Sequence, residues 1–236
     1  MSFSRSTILS RSFVLFRPSC ERLLPLLTSS KTSRPWRNTF ATTTAEPLSV
    51  PLTAPNGLEY DQPIGLFINN SWVPSGAKKK ITSINPTDET EIASVHAAES
   101  PDVDKAVASA RKAFKSTWRD SPPAERGSLL YKLSQLVEEH KEVLATIEAW
   151  DNGKPYKIAR DEDIAEVVGT LRYYAGWADK IHGQVIDSSA VKLAYTIKEP
   201  LGVCGQIIPW NYPLGMAAWK WVSWYLMLGC SSRDEG

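Results

Sequence analysis

The sequence contains few of the residues that hold metals or cross-link a chain. In 236 residues there are three histidines and three cysteines, Cys20, Cys204 and Cys230. No two cysteines have the short spacing of a zinc-ligand pair or a redox-active pair. This scarcity excludes a disulfide framework and a zinc-binding motif, and it fits a protein of a reducing compartment.

The sequence also lacks an excess of charge of one sign, because 27 basic residues stand against 26 acidic ones. No basic stripe with interleaved aromatic residues occurs, so nucleic acid is excluded as a partner. Long hydrophobic runs are missing too. The apolar stretch from Leu214 to Cys230 has 17 residues and contains Lys220, whereas a membrane span needs about 20 apolar residues. We therefore predict no membrane span.

The first 45 residues differ in composition from the rest. They contain seven basic residues and one acidic residue, are rich in serine and threonine, and have apolar residues interrupted by Arg11 and Arg17. This pattern is typical of a mitochondrial transit peptide rather than a secretory signal. It predicts a location in the mitochondrial matrix. The alternative is that the leader carries no targeting signal and the protein is cytoplasmic. Residues 46–63 are predicted to be a linker, because Pro47, Pro51, Pro55 and Gly57 favour irregular structure.

Short strands open the predicted folded region. The apolar residues 66–68 and 72–73 flank Asn69-Asn70, a pair that tolerates positive φ, and this arrangement predicts a hairpin. Residues 81–84 and 91–95 are predicted to be two further strands, joined by a run of turn-forming residues.

Three helical patterns follow the strands. The first starts at Ser100, predicted as the N-cap, with Pro101 in its first turn. The second starts at the pair Pro122-Pro123 and breaks before Val143, and the third runs from about Asp163 to Ile181.

The hydrophobic period then changes. Leu193, Tyr195 and Ile197 alternate with polar or small neighbours and predict a strand. Residues 202–208 are a compact, mostly apolar run, which predicts a fully buried strand of a parallel sheet. Cys204, in the middle of that run, is accordingly predicted to be a buried and unreactive thiol.

Several blocks of sequence occur in an order and at a spacing that chance does not explain. The most specific block is residues 207–214, Ile-Ile-Pro-Trp-Asn-Tyr-Pro-Leu. Together the blocks resemble the aldehyde dehydrogenase superfamily over residues 66–220, and they look most like its general-substrate mitochondrial and cytosolic NAD-dependent enzymes. The other blocks are Phe67-Ile68-Asn69-Asn70, Ile84-Asn85-Pro86, Asp151-Asn152-Gly153-Lys154-Pro155, residues 171–180, and Glu199-Pro200-Leu201-Gly202-Val203.

The resemblance implies an α/β architecture of which this chain contains one part. Residues 64–220 would be the N-terminal part of an aldehyde dehydrogenase domain, with the start of a Rossmann-type NAD-binding domain and part of an oligomerisation sheet. Residues 185–199 resemble the paired strands through which these enzymes form homotetramers or dimers. The resemblance ceases near Lys220, so residues 221–236 are predicted to be a divergent tail.

The resemblance also implies a set of site residues. Ile207, Ile208, Pro209 and Trp210 would line the NAD site at the end of the first strand of the dinucleotide fold. Asn211 would donate its carboxamide N–H to the aldehyde oxygen as that oxygen becomes negative. Ser83, Ile84 and Asp151 would hold a monovalent cation.

The activity implied is the oxidation of a small-molecule aldehyde to a carboxylate with NAD as the cofactor. In this family the nucleophilic cysteine and the general-base glutamate lie downstream of the position that Lys220 occupies here. The chain alone is therefore predicted to be inactive. The alternative is a non-catalytic truncated chain that misfolds or associates with full-length subunits. The preferred aldehyde, and NAD against NADP, stay open, because most pocket-lining and ribose-facing residues would also lie downstream.

Overall fold

The computed structural model describes residues 47–222 and the backbone of the last helix as far as Leu226. The predicted transit peptide, residues 1–45, and the end of the predicted tail lie outside the described residues. Within the described range the chain mixes helices with four two-stranded sheets, each of which is an antiparallel pair. No helix in this range has the length and apolar character to cross a membrane.

The segment predicted to be a linker contains a hairpin in the structure. Strand β1 (Ser49–Thr53) pairs antiparallel with β2 (Glu59–Pro63), and Gly57, at φ +83°, lies in the turn between them. The linker prediction is wrong here because it gave weight to proline and glycine. The exposed Pro51 alternates with the half-buried Val50 and Leu52, a period of two that is the signal of a half-buried strand.

Two further hairpins confirm the predictions made for residues 66–95. Strand β3 (Leu66–Ile68) pairs with β4 (Ser71–Val73), and Asn69 and Asn70 both have positive φ in the turn, as a two-residue hairpin requires. Strand β5 (Lys80–Ile84) pairs with β6 (Glu91–His96). These turns follow from local sequence, which explains why sequence patterns located them.

The first helix, α1 (Ser100–Ala113), is confirmed, but its N-cap is Glu99 rather than Ser100. The Asp102 side chain accepts a hydrogen bond from the Glu99 backbone N–H, and Glu99 caps the Asp102 backbone in return. Asp102 also accepts the Ser75 hydroxyl at 3.2 Å. The buried Asp102 carboxylate therefore joins the start of the helix to the loop after β4. Ser100 is not the N-cap, because it is already the first residue of the helix.

Helices form the main core. Helix α2 (Pro123–Glu139) and helix α3 (Lys141–Asn152) are separated at His140, as the predicted break before Val143 required. A single turn, α4 (Tyr156–Ile158), leads through a π-helical turn at Ala159–Asp163 into α5 (Ile164–Ala175). Helix α5 ends six residues before the predicted Ile181. The core between these helices and the last helix, α6 (Pro213–Leu226), contains Leu130, Val167, Leu171, Ala178, Ala218 and Val222.

The region between α5 and α6 differs most from the sequence prediction. Strand β7 (Val185–Ser189) pairs with β8 (Lys192–Tyr195), which confirms a strand at 193–195. Residues 202–208, predicted to be a buried parallel strand, belong to no strand, and Cys204 is exposed. A strand is defined by ladder hydrogen bonds to a neighbour. No described strand pairs with these residues, so the apolar run is not part of a sheet and stays half-exposed.

Candidate functional site

Residues 206–212 lead into helix α6, which packs back along them. Gln206 donates from Nε2 to the Lys220 carbonyl oxygen at 2.8 Å, and Lys220 donates from Nζ to the Ile207 carbonyl oxygen. Position 207 therefore lies beside the middle of α6, while residues 210–212 lead directly into its first turn. The junction between these residues and α6 is the N-terminal end of a helix, a place where negatively charged groups commonly bind.

Asn211 lies at that junction, two residues before the start of α6 at Pro213. Its side chain is exposed and has no hydrogen-bond partner among the residues that the structure describes. The backbone N–H groups of a first helical turn lack partners within the helix, and the helix dipole makes this end positive. An exposed carboxamide donor at such an end suits an atom that becomes negative during a reaction.

The backbone that carries Asn211 is held by a residue from another helix. Asn152, the last residue of α3, donates from Nδ2 to the carbonyl oxygens of Trp210, at 3.1 Å, and of Asn211, at 3.0 Å. Sequence reasoning missed this contact because the partners are 58 and 59 residues apart in the chain. The available signal was Asp151-Asn152-Gly153-Lys154-Pro155, one of the blocks that carry the family resemblance.

A buried group of three charged side chains lies beneath the same turn. Lys154 contacts Glu148 at 3.0 Å and Asp163 at 2.6 Å, and all three side chains are at most 10% exposed. We call these residues the charged triad. The Lys154 ammonium also lies 4.1 Å from the centre of the Tyr212 ring, a distance typical of a cation–π contact. The Glu148 carboxylate accepts the backbone N–H of Leu214 in the first turn of α6.

Burial and ion pairing act in opposite directions on the charged triad. Burial raises the pKa of Glu148, and the Lys154 ammonium opposes that rise without cancelling it. Burial lowers the pKa of Lys154, but its hydrogen bonds to Asp163 and Glu148 outweigh this effect, so its pKa lies above the ordinary value of 10.5. Lys154 is therefore charged at neutral pH and offsets the two carboxylates under the turn.

The four residues predicted to line the NAD site directly precede Asn211 in the chain. Ile207 is 67% exposed and Trp210 is 70% exposed, while Ile208 and Pro209 are half-buried. The structure thus brings two large apolar side chains to the surface near the start of α6. Their role in holding a cofactor stays a prediction.

The residues predicted to hold a monovalent cation are adjacent in the structure. Ser83 donates from Oγ to Asp151 Oδ1 at 2.5 Å, although 68 positions separate them, and Ile84 follows Ser83 on β5. Burial raises the pKa of the nearby Tyr60, and the charge of Asp151 raises it further. The described part of the chain contains no group of three or more His, Cys, Asp or Glu side chains placed to hold a metal. The cation site stays a prediction.

Comparisons with known proteins agree with this arrangement. The family model described as "Aldehyde dehydrogenase family" matches residues 72–232, which includes most of the segment predicted to be a divergent tail. An aldehyde dehydrogenase of Aspergillus niger is 55% identical over 169 residues, 72% of this chain and 34% of the relative. The mitochondrial aldehyde dehydrogenase of Rattus norvegicus is 48% identical over 157 residues, 66% of this chain and 30% of the relative.

Solved structures give the same result. The NAD+ complex of an aldehyde dehydrogenase from Bacillus cereus is similar with a TM-score of 0.68 and 48% identity, over 70% of this chain and 34% of that one. An aldehyde dehydrogenase from Burkholderia cenocepacia, described as putative, is similar with a TM-score of 0.66 and 38% identity, over 69% and 33% of the two chains. The chain spans about a third of the length of the relatives it matches.

Proposed function

Because this chain belongs to the aldehyde dehydrogenase family, we propose that residues 64–220 are the N-terminal part of an NAD-dependent enzyme that oxidises an aldehyde to a carboxylate. The observation that carries the proposal is the position of Asn211. Its exposed carboxamide, without a partner in the described part of the chain, lies at the N-terminal end of α6. That position provides a donor for an oxygen that gains negative charge.

Asn211 has one role in this chemistry. When a nucleophile adds to an aldehyde, the carbonyl oxygen becomes an anion and needs a fixed donor. The carboxamide N–H of Asn211 supplies the donor, and the positive end of α6 adds a favourable field. The backbone on which the donor is carried is held by Asn152, which limits the reorganisation that the reaction requires. In the family the nucleophile and the general base come from downstream of residue 220.

The residues next to Asn211 fit a dinucleotide. NAD, when bound, accepts the hydride that leaves the substrate carbon. Ile207 and Trp210 expose apolar surface suited to a flat aromatic ring, and the N-terminal end of α6, at the positive end of the helix dipole, lies next to them. Ile208 and Pro209 connect these two features. We therefore assign Ile207, Ile208, Pro209 and Trp210 to the cofactor side of the site.

A chimera tests the proposed function. Residues 49–220 replace the matching segment of the Aspergillus niger relative, so that the downstream residues of a whole enzyme are supplied; we call this protein the chimera. We expect the chimera to reduce NAD in the presence of acetaldehyde, measured as NADH absorbance. The 236-residue chain alone is expected to give the rate of a protein-free blank, because the family nucleophile would lie downstream of its site residues.

The chimera and the 236-residue chain each have one outcome that would contradict a separate part of the proposal. Turnover by the 236-residue chain above the blank would contradict its predicted inactivity. A chimera that is folded by circular dichroism and binds NAD, yet oxidises no aldehyde, would contradict the assignment of this segment to such an enzyme.

A second candidate function, association with full-length subunits, is favoured by the hairpin β7–β8. Every residue of β7 is exposed, Val185 by 79%, and Leu193 on β8 is 77% exposed. The apolar side chains Val185, Ile186 and Leu193 are exposed among the described residues, and the hairpin has an edge that another chain can pair with or cover. We propose that this hairpin joins subunits of the family homotetramer or dimer, and that the 236-residue chain uses it to bind a whole subunit.

A charge placed on the hairpin tests the association. The substitution Leu193→Lys is expected to lower the amount of tagged 236-residue chain that copurifies with the chimera at least tenfold, because burying an unpaired ammonium in an apolar interface is costly. The matched control is Ile158→Lys, which places the same charge on an exposed aliphatic residue of α4. Equal copurification of both variants would contradict an interface at β7–β8.

A further inference from the structure

The turn that carries Asn211 has backbone carbonyl groups that the helix after it does not use. In α6 the first helical hydrogen bond is accepted by the Tyr212 carbonyl oxygen, from the Met216 N–H at 2.9 Å. The carbonyl oxygens of Trp210 and Asn211 precede this bond and lie outside the helix ladder. Both carbonyl oxygens accept from one nitrogen, Nδ2 of Asn152. A single side chain thus fixes two consecutive peptide groups.

Asn152 itself is held at a rigid position. It is the last residue of α3, and Gly153 after it has φ +78°, the left-handed conformation that ends the helix. A Cβ atom at position 153 would lie 2.7 Å from Cγ of Pro86, so the chain reverses tightly against the loop after β5. The Asn152 side chain therefore projects from the end of a helix whose direction is fixed.

The residues around Asn152 contact the rest of the same turn. Lys154 lies over the Tyr212 ring at 4.1 Å, and Glu148 accepts the Leu214 N–H. Residues 148–154 thus contact four of the five residues 210–214, through backbone groups at three of them and through a side chain at Tyr212. Leu214 also packs against the core formed with α2 and α5, so Asn152 contacts the part of the turn that precedes this packing.

We propose that Asn152 is a positioning residue for Asn211: its carboxamide fixes the two peptide groups from which the catalytic donor projects. This inference rests on the proposed role of Asn211. Loss of the Asn152 donor allows the turn to move, and a displacement of about 1 Å of a reacting group costs on the order of 100-fold in rate. The charged triad supports the same turn from below.

The isosteric substitution Asn152→Asp in the chimera tests the proposal. It replaces the donor nitrogen by an oxygen that faces two carbonyl oxygens, so we expect kcat per active site to fall about 10- to 100-fold. The KM for acetaldehyde is expected to stay within about twofold, because positioning acts on the transition state. Active sites are counted by alkylation of the nucleophilic thiol, since a variant that merely misfolds has fewer sites but an unchanged kcat per site.

Three companion variants separate the outcomes. Asn70→Asp makes the same chemical change in an exposed turn and is expected to leave kcat unchanged. Asn152→Ala removes the donor without adding charge and is also expected to lower kcat. It serves as the test if Asn152→Asp does not fold. Asn211→Ala in the same chimera separates the two proposals. If it lowers kcat while both Asn152 variants keep full kcat per site, the positioning role is contradicted and the catalytic role of Asn211 stands.

Hydrogen exchange in the 236-residue chain provides a readout without activity. Mass spectrometry is expected to show at least threefold faster exchange over residues 208–216 in Asn152→Asp than in Asn70→Asp, with unchanged exchange in α2. Equal exchange in the two variants over residues 208–216 would contradict the proposal, because Asn152 would then not hold the turn.

Discussion

Replacement of Asn211 by alanine in the chimera is expected to lower kcat by about 100- to 1,000-fold, the usual cost of removing one oxyanion donor. The substitution removes the exposed carboxamide donor at the start of α6, and it leaves the backbone contacts with Asn152 intact, since these use the carbonyl oxygens. Steady-state NADH formation with acetaldehyde measures the effect. The dissociation constant of NAD, followed by Trp fluorescence, is expected to stay within about threefold.

The matched control for this prediction is Asn70→Gly, which removes an exposed carboxamide from the β3–β4 turn and tolerates the positive φ of that position. It is expected to keep kcat within about twofold. An Asn211→Ala chimera with kcat within about fivefold of the parent would mean that the carboxamide does not face the developing charge.

The substitution Lys154→Met in the chimera is expected to lower the free energy of unfolding by about 3–5 kcal/mol, the usual cost of breaking a buried ion pair from one side. Methionine keeps much of the side-chain volume, but Glu148 and Asp163 lose their common counter-charge within 3.0 Å. Urea unfolding followed by circular dichroism measures the change. The control Lys79→Met breaks an exposed ion pair with Glu99 and is expected to leave the urea midpoint unchanged, because surface pairs contribute little.

The loss of stability in Lys154→Met is expected to depend on pH. Burial holds the pKa of Glu148 above its ordinary value of 4.5, and loss of the ammonium raises it further. A carboxyl whose pKa is raised in the folded state stabilises the fold below its unfolded pKa, and this stabilisation is lost as the pH rises through the folded pKa. The deficit of the variant is therefore expected to be smaller near pH 4.5 than at neutral pH. A deficit of equal size from pH 4.5 to pH 7.5 would contradict the assignment of the charged triad.

The parts of the fold that sequence patterns predicted correctly are those determined by neighbouring residues. Asn69 and Asn70 can adopt positive φ, so these two residues were enough to predict the hairpin around them. The break between α2 and α3 was visible from the hydrophobic spacing alone. The hairpin β1–β2 was missed because the prolines and Gly57 of residues 46–63 favour a turn or a linker as much as strand ends. Its alternation of exposed and half-buried residues is only five residues long in β1 and four in β2.

The parts that sequence patterns did not predict depend on distant partners. Residues 202–208 have the composition of a buried strand, but a strand needs a neighbouring strand to complete its ladder of hydrogen bonds, and no described strand pairs with this run. Cys204 is exposed for the same reason. The motif was expected to end a strand of the dinucleotide fold, and helix α6 after it was not predicted. The hydrogen bonds from Asn152 were not predictable either, because no local pattern indicates which carbonyl groups an asparagine will reach.

The claim on which the account depends is that the Asn211 carboxamide donates to the oxygen of the reacting aldehyde. A crystal structure of the chimera with NAD and an aldehyde analogue that forms a stable tetrahedral adduct with the nucleophilic thiol measures this directly. We predict a distance of about 2.7–3.1 Å from Nδ2 of Asn211 to the adduct oxygen, with the Trp210 and Asn211 carbonyl oxygens still held by Asn152. An adduct oxygen bound by other donors, with the Asn211 side chain turned toward solvent, would contradict it.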